Sequence, residues 1–229
     1  MKRSLPTVFL VLLILPVFMT VNFLTGRNAS YVLADDKHNY VIFIEIEDNT
    51  LYLLDDNVCV RKYPISSGKA STPSPLGSWK IVSKGSWGGG FGDRWLGLNV
   101  PWGTYGIHGT NRPSSIGWAA SHGCIRMYNR DIRELYNMVS IGTPVIIVNG
   151  SFGAFGNGFK LINVGARGAD VYEVQRRLKE LGYYQGTVDG IYGEIMKSSV
   201  HKFQRDMGLP VENTINRDDL LKMGFLEFD

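Results

Sequence analysis

Short runs in which apolar and polar residues alternate dominate the chain from Tyr40 onwards, and turn-forming residues separate them. Alternation with a period of two is typical of half-buried strands, and turns rich in Asp and Asn between such runs favour antiparallel hairpins. The pattern predicts a meander of three strands, at residues 40–47, 51–54 and 58–65. Further strands are predicted at residues 79–82, 96–100, 105–107 and 143–148. This part of the chain is therefore expected to be mainly β.

One helix interrupts the β pattern, and Asn129 is a suitable N-cap for it. Its apolar positions recur at helical spacing, at Ile132, Leu135, Tyr136 and Val139. Beyond residue 158 the helical period takes over, with one apolar stripe over residues 171–181 and another over 196–207. Asp170 and Glu173 are spaced as a capping box for the first stripe, and a short third helix is predicted near Asn216. The C-terminal part is therefore expected to be a three-helix, all-α domain.

The two patterns meet in residues 150–159, which are rich in glycine and show neither period. Such a composition is typical of a linker. The sequence thus predicts a β domain over residues 38–149, a linker over 150–159 and a helical domain over 160–229.

The N-terminus has the pattern of an export signal. Lys2 and Arg3 precede an almost entirely apolar run over residues 5–24. The run can span a bilayer, which needs about 20 residues, while Ala34 ends the best candidate cleavage site. Residues 1–34 are therefore interpreted as a signal peptide or an N-terminal membrane anchor. In both cases the rest of the chain is expected outside the cytoplasmic membrane, and an uncleaved segment would also make the membrane a partner.

Composition and charge narrow the classes of function. The 229 residues are 44% hydrophobic and 20% charged, which is ordinary for a globular protein. Lys2, Arg3 and Arg27 account for the whole net charge of +3, so nucleic-acid binding is not expected. Two cysteines are too few for a disulfide framework or an all-cysteine zinc site.

The segment over residues 105–127 carries the candidate chemistry. Cys124 is a candidate nucleophile and His108 a candidate base, because an imidazole can take the proton of a thiol. The carbonyl of Gly109 is expected to accept the Nδ1–H of His108 and to fix its tautomer. The N–H groups of Gly123 and Cys124 are candidates for an oxyanion hole. Arg126 is expected on the same face of the strand as Cys124, where it could bind a substrate carboxylate.

Other interpretations of these residues stay open at this point. Export permits a structural disulfide between Cys59 and Cys124. His108, His122 and Cys124 could bind zinc, although a fourth ligand is lacking. His122 could instead be a core histidine with satisfied hydrogen bonds. Cys59, in an apolar strand, is expected to be a small buried residue.

The motifs His108-Gly-Thr and Ser121-His-Gly-Cys-Ile-Arg-Met127 resemble the signature of the YkuD-type L,D-transpeptidase catalytic domain. Further support comes from Leu51-Tyr-Leu, Ser67-Gly68 and Thr72-Pro-Ser-Pro-Leu-Gly77. The resemblance implies a β-sandwich-like fold with a cysteine nucleophile, Cys124, on its rim and His108 as the base. It also implies catalytic roles for His122 and Gly123, and substrate binding by Ser121 and Arg126, whereas the catalytic role of Gly109 is predicted from the tautomer argument above.

This resemblance further implies the reaction. Cys124 would attack a peptidoglycan stem peptide, release D-alanine and pass the acyl group to an amine of a second stem, which cross-links or remodels the cell wall. No cofactor and no metal are called for. If water replaced the amine, the protein would be an L,D-carboxypeptidase. A non-catalytic wall-binding protein, with its cysteines oxidised to each other, is the alternative from another class.

The C-terminal part resembles the type-one peptidoglycan-binding domain. The motifs that carry this resemblance are Gly168-Ala-Asp-Val, Leu181-Gly-Tyr183, Asp189-Gly-Ile-Tyr-Gly193 and Val200-x-x-Phe-Gln204. It implies that peptidoglycan stem peptides or glycan are partners and that the protein resides in the cell wall. The alternative is a helical cap that stabilises the β domain.

Overall fold

The computed structural model describes residues 38–225. The predicted export signal, residues 1–34, lies outside the described residues. Within residues 38–225, no helix combines the length and the apolar character that crossing a membrane requires.

The order of elements follows the predicted change from strands to helices. The strands are β1 (Tyr40–Glu45), β2 (Thr50–Asp55), β3 (Val58–Pro64), β4 (Ser67–Gly68), β5 (Gly77–Gly85), β6 (Trp95–Leu98), β7 (Tyr105–His108), β8 (Ala119–Ser121), β9 (Ile125–Arg126) and β10 (Pro144–Val148). The α-helices are α1 (Asn129–Met138), α2 (Ala169–Glu180), α3 (Glu194–Asp206) and α4 (Arg217–Lys222). Short 3₁₀ turns lie at Gly89–Phe91, Pro113–Ser115 and Gly153–Phe155. The predicted fold class, mainly β with one helix followed by three C-terminal helices, is confirmed.

One mixed sheet organises the β domain, with the strand order β3-β2-β1-β10-β5-β6-β7-β9. The predicted meander is present, because β1, β2 and β3 pair antiparallel. The last strand, β10, lies in the middle of the sheet, parallel to β1 and antiparallel to β5. Val145 and Ile147 of β10 are fully buried, and burial explains why these hydrophobic residues take a central strand. The strands β4 and β8 form a separate parallel pair.

The helix α1 covers part of this sheet. Its residues Ile132 and Leu135 are fully buried in the main hydrophobic cluster. Its predicted N-cap is wrong: Tyr128 occupies the N-cap position without a side-chain hydrogen bond, and Asn129 is the first helical residue. The side chain of Asn129 is used elsewhere, as described below.

The three C-terminal helices enclose a second hydrophobic cluster, which includes Val171, Val174, Leu178, Met196, Val200, Phe203 and Leu220. The predicted capping box at Asp170 is wrong, because Gly168 is the N-cap of α2 and the Asp170 carboxylate accepts the N–H of Val171 instead, at 2.8 Å. A capping box does begin α4, between Asn216 and Asp219.

Aromatic residues join the two parts of the chain. Trp79 and Trp102 of the β domain contact Tyr172 of α2, with ring centroids 5.4 Å and 5.7 Å from the Tyr172 centroid. Trp102 also lies against the backbone of Gly190: a Cβ there would come 2.3 Å from Trp102 Cε3. The helical part is thus packed on the β domain, while the predicted domain boundaries stay a prediction.

Candidate active site

Neighbouring strands bring three predicted site residues together. His108 is the last residue of β7 and pairs with Arg126 of β9 in parallel register. Cys124 directly precedes β9. The pairing of β7 with β9 therefore places His108 level with Arg126, and Cys124 lies two residues before Arg126, at the start of β9.

The His108 imidazole is buried between aromatic rings. It is 4% exposed, and its centroid lies 5.1 Å from that of Phe91 and 5.7 Å from that of Trp95. Its Nδ1 lies 2.5 Å from the carbonyl oxygen of Gly109, which is the contact expected from the sequence. This bond assigns the proton of the neutral ring to Nδ1 and leaves Nε2 as the basic nitrogen.

Burial lowers the pKa of His108 below its ordinary value, and the charge of Arg126 lowers it further. Hydrogen bonds to the carbonyls of Gly109 and Phe91 act in the opposite direction. The net effect is a lowered pKa, so the ring is neutral at neutral pH and able to accept a proton.

The Cys124 thiol is half-buried, and Sγ lies 4.0 Å from the carbonyl oxygen of Thr104. Burial raises the pKa of Cys124, against the lowering effects of a backbone hydrogen bond from Gly106 and of the Arg126 charge. Within residues 38–225, no hydrogen bond joins Sγ to His108. The raised pKa of Cys124 and the lowered pKa of His108 both favour the uncharged form of the group.

A short turn over residues 121–124 fixes the position of the cysteine. The Ser121 hydroxyl donates to the carbonyl of Cys124 at 2.6 Å and accepts the N–H of Gly123 at 3.0 Å. Gly123 has φ of +111°, and a Cβ there would come 2.7 Å from the Tyr105 ring. Only glycine fits this position without strain.

Two predicted roles concern this turn, and both stay predictions. Ser121, predicted to bind substrate, is 1% exposed and holds the turn through its hydroxyl. The Gly123 N–H, predicted to form part of an oxyanion hole, is bonded to the Ser121 hydroxyl in this structure.

Arg126 and His122 differ in their exposure to solvent. Arg126 is half-buried, and its charge acts on both Cys124 and His108. Its guanidinium forms no ion pair with any carboxylate in the part of the chain that the structure describes. His122 is exposed, so the interpretation of it as a core histidine is wrong.

The alternatives that concern the cysteines have clear outcomes. Both cysteines are free, so no disulfide joins Cys59 to Cys124. Cys59 is exposed, which contradicts its prediction as a buried residue. It lies at the start of the edge strand β3, where the neighbouring Val58 is exposed as well. Residues 38–225 contain no group of three or more His, Cys, Asp or Glu side chains that could hold a metal ion.

Asn129 is a site residue that the sequence analysis missed. Its Oδ1 accepts the N–H of Thr110, at 3.1 Å, and so ties α1 to the loop after His108. The amide occupies space left by two glycines, since a Cβ at Gly92 or Gly109 would come within 2.2 Å or 2.1 Å of Oδ1. No local pattern could reveal this pair, because its members are 19 residues apart.

Comparison with known proteins identifies a matching family for each part of the chain. The family model for the YkuD L,D-transpeptidase catalytic domain matches residues 39–147, and the model described as "Putative peptidoglycan binding domain" matches residues 167–215. The "Putative L,D-transpeptidase YqjB" of Bacillus subtilis is 34% identical over 127 residues, which cover 48% of this chain and 71% of that protein. The chain belongs to the YkuD-type L,D-transpeptidase family.

Two further relatives show the extent of the match. The "Putative L,D-transpeptidase YkuD" of Bacillus licheniformis is 48% identical over 109 residues, which are 47% of this chain and 65% of that protein. This chain thus spans somewhat less than two thirds of that relative. A solved L,D-transpeptidase from Mycobacterium smegmatis is 25% identical with a TM-score of 0.42, and the match covers 48% of this chain and 58% of the other.

Proposed function

We propose that the protein is an L,D-transpeptidase that acts on peptidoglycan outside the cytoplasmic membrane. The observation that carries this proposal is the arrangement on β7 and β9. There, Gly109 orients a neutral His108 next to the strand that carries Cys124 and the unpaired charge of Arg126.

The first half-reaction forms a thioester. Sγ of Cys124 attacks the carbonyl carbon before the terminal D-alanine of a donor stem peptide, and Nε2 of His108 takes the thiol proton. The C–N bond then breaks, His108 returns the proton to the leaving amine, and D-alanine departs. In the resting state the proton stays on sulfur, because the pKa of Cys124 is raised and that of His108 is lowered. Transfer therefore accompanies the attack.

The second half-reaction resolves the thioester. An amine of a second stem attacks the acyl carbon, His108 takes a proton from that amine, and the C–S bond breaks. The proton passes to sulfur and restores the thiol. A new amide bond joins the two stems, and the cell wall is cross-linked or remodelled.

The same geometry suggests which groups stabilise the tetrahedral intermediate. Since Ser121 holds the Gly123 N–H, we assign the oxyanion contact to the N–H of Cys124 itself. Gly123 then contributes through its backbone conformation, which places that N–H. Arg126 is assigned to a carboxylate of the donor stem, because a half-buried guanidinium without an ion-pair partner suits bidentate binding. The exposed His122 lies at the rim of the site.

The match over residues 167–215 supports binding of stem peptides or glycan by the helical part. A wall-associated, exported protein is consistent with the pattern of residues 1–34, and the membrane is a further partner if this segment stays uncleaved.

The test is a product analysis by mass spectrometry. The full chain, kept in detergent, is incubated with purified stem tetrapeptides, with and without an acceptor amine. We expect loss of D-alanine, a thioester on Cys124 and a cross-linked dimer. Cys124→Ser should abolish all three, whereas Cys59→Ser, the matched control, should retain them. Hydrolysis alone, even with the amine present, would make the protein an L,D-carboxypeptidase. Absence of both the thioester and D-alanine release would favour a non-catalytic wall-binding protein.

A further inference from the structure

A cavity of about 420 Å³ lies where the β domain meets the helical part. The β domain contributes Pro73, Leu76, Trp102 and Tyr105 to its lining, and the C-terminal part contributes Lys160, Arg167 and Asp170. The packing of Trp102 against Gly190 and Tyr172 holds these two sides together. The cavity therefore exists only while the helical part is docked.

This cavity adjoins the loop that carries the nucleophile. The Tyr105 ring, which lines the cavity, lies 2.7 Å from the position a Cβ would take on Gly123, the residue before Cys124. The carbonyl oxygen of Pro73 lies 3.1 Å from the same position. Sγ of Cys124 contacts Thr104, which directly precedes Tyr105. The cavity and the turn before Cys124 therefore share two of their walls, the Tyr105 ring and the Pro73 segment.

The lining combines positive charge with aromatic rings and amides. Lys160 and Arg167 are exposed, and neither forms an ion pair with a carboxylate among residues 38–225. The carboxylate of Asp170 is turned to the N–H of Val171, at 2.8 Å. The lining therefore carries two cations without ion-pair partners and one carboxylate that already accepts a backbone hydrogen bond. This excess of positive charge favours an anionic ligand.

The remaining groups indicate a peptide. The amides of Asn149 and Asn157 offer donors and acceptors for a backbone, and the ring of Trp102 offers an apolar wall. A neutral sugar would use the ring and the amides but would leave both cations without a partner.

We propose that this cavity is a binding subsite for the carboxylate-bearing part of a peptidoglycan stem peptide, with Lys160 and Arg167 as its carboxylate ligands. The proposal rests on the proposed function, because it takes the stem peptide as the ligand. It assigns the docked helical part a direct place in the substrate cleft, in addition to any contact with the wall.

The test measures binding without turnover. A stem tetrapeptide with free carboxylates, and the same peptide with its side-chain carboxylates amidated, are titrated calorimetrically into the full chain carrying Cys124→Ser. We expect the free form to bind more tightly. Adding Lys160→Gln and Arg167→Gln should weaken binding of the free form by about 10-fold or more, the size expected for charge-assisted hydrogen bonds. The amidated form should change by less than about 2-fold.

A matched control removes the same charge elsewhere. Lys80→Gln with Arg205→Gln replaces an exposed lysine on β5 and an exposed arginine on α3 and should leave both affinities unchanged. Equal affinity for the two peptides, equal losses in the control, or no measurable binding of either peptide would overturn the proposal. A chain that binds as expected but forms no thioester as wild type would contradict the proposed function and leave the subsite standing. Unchanged KM in a turning-over K160Q/R167Q variant would remove the subsite alone.

Discussion

Asn129 Oδ1 accepts the backbone N–H of Thr110 at 3.1 Å, so the first residue of α1 holds the loop that follows His108. Gly109, whose carbonyl orients the imidazole, lies between His108 and Thr110 in the sequence. The carbonyl that orients the proposed base therefore lies in a loop that α1 holds in place.

Asn129→Ala should loosen this loop. The buried Thr110 N–H would lose its acceptor, which costs about 1–3 kcal/mol for an unsatisfied buried donor. We expect a lower free energy of unfolding in denaturant titration and a lower kcat. Asn137→Ala, an exposed position of the same helix, is the control and should change neither. A variant as stable and as active as wild type would show that the loop holds itself.

Gly123→Ala should disable the turn before the nucleophile. The substitution meets both an unfavourable φ of +111° and a Cβ contact of 2.7 Å with the Tyr105 ring. Gly142→Ala is a matched control, because Gly142 has φ of +95° but open space around its Cβ position. Both variants should lose stability through backbone strain, on the order of 1 kcal/mol. Only Gly123→Ala should also lose thioester formation, measured by mass spectrometry.

Alkylation of Cys124 should be slow at neutral pH and should rise steeply in alkaline solution. Its pKa is raised above the ordinary value of 9.0, chiefly by burial, so the reactive thiolate is scarce at pH 7. The measurement uses Cys59→Ser, since the exposed Cys59 would otherwise react with the reagent. We expect the rate to increase with pH through pH 9. A plateau below pH 8 would contradict the raised pKa.

The acid side of the pH–rate profile reports on His108. The base must be neutral, and burial lowers its pKa below 6.5, so kcat/KM should start to fall only below pH 6.5. Phe91→Ala would admit water to the imidazole and should move this limb to higher pH. Tyr52→Ala, an aromatic substitution on β2, should leave the limb in place. An unshifted limb in Phe91→Ala would show that Phe91 does not shield the ring.

Arg126→Lys should separate charge from geometry. The positive charge that lowers the pKa of Cys124 survives, but bidentate binding of a carboxylate is lost. Donor turnover should fall by about 10-fold or more, which corresponds to a loss of about 1.5 to 3 kcal/mol for a charge-assisted contact. The alkylation rate of Cys124 should stay near that of wild type. If alkylation fell as far as turnover, the role of Arg126 would be electrostatic alone.

Local patterns were sufficient to predict most strands and helices of this protein. The meander β1–β3, the helix α1 and the three C-terminal helices all follow the apolar periodicity of their own segments. The central place of β10 could not be predicted in this way, because it depends on pairing with β1 about 100 residues away in sequence.

In the candidate site, too, contacts between sequence neighbours could be predicted, whereas contacts that depend on the fold could not. The contact between His108 and Gly109 joins sequence neighbours and could be predicted. The hydroxyl of Ser121 could not be placed from spacing, because its burial depends on β8 pairing with β4. Asn129 has the properties of a helix cap in sequence, and only the loop packed against it shows that its side chain binds Thr110.

The seating of Trp102 on Gly190 has a consequence for how the protein would work on a wall. A module on a loose tether lets the catalytic part attack any stem within its reach. A seated module instead sets a constant spacing between the bound strand and the thiol. With both proposed roles in place, the contact between Trp102 and Gly190 fixes the distance along the wall between the strand that the helical part binds and the stem that reacts at Cys124.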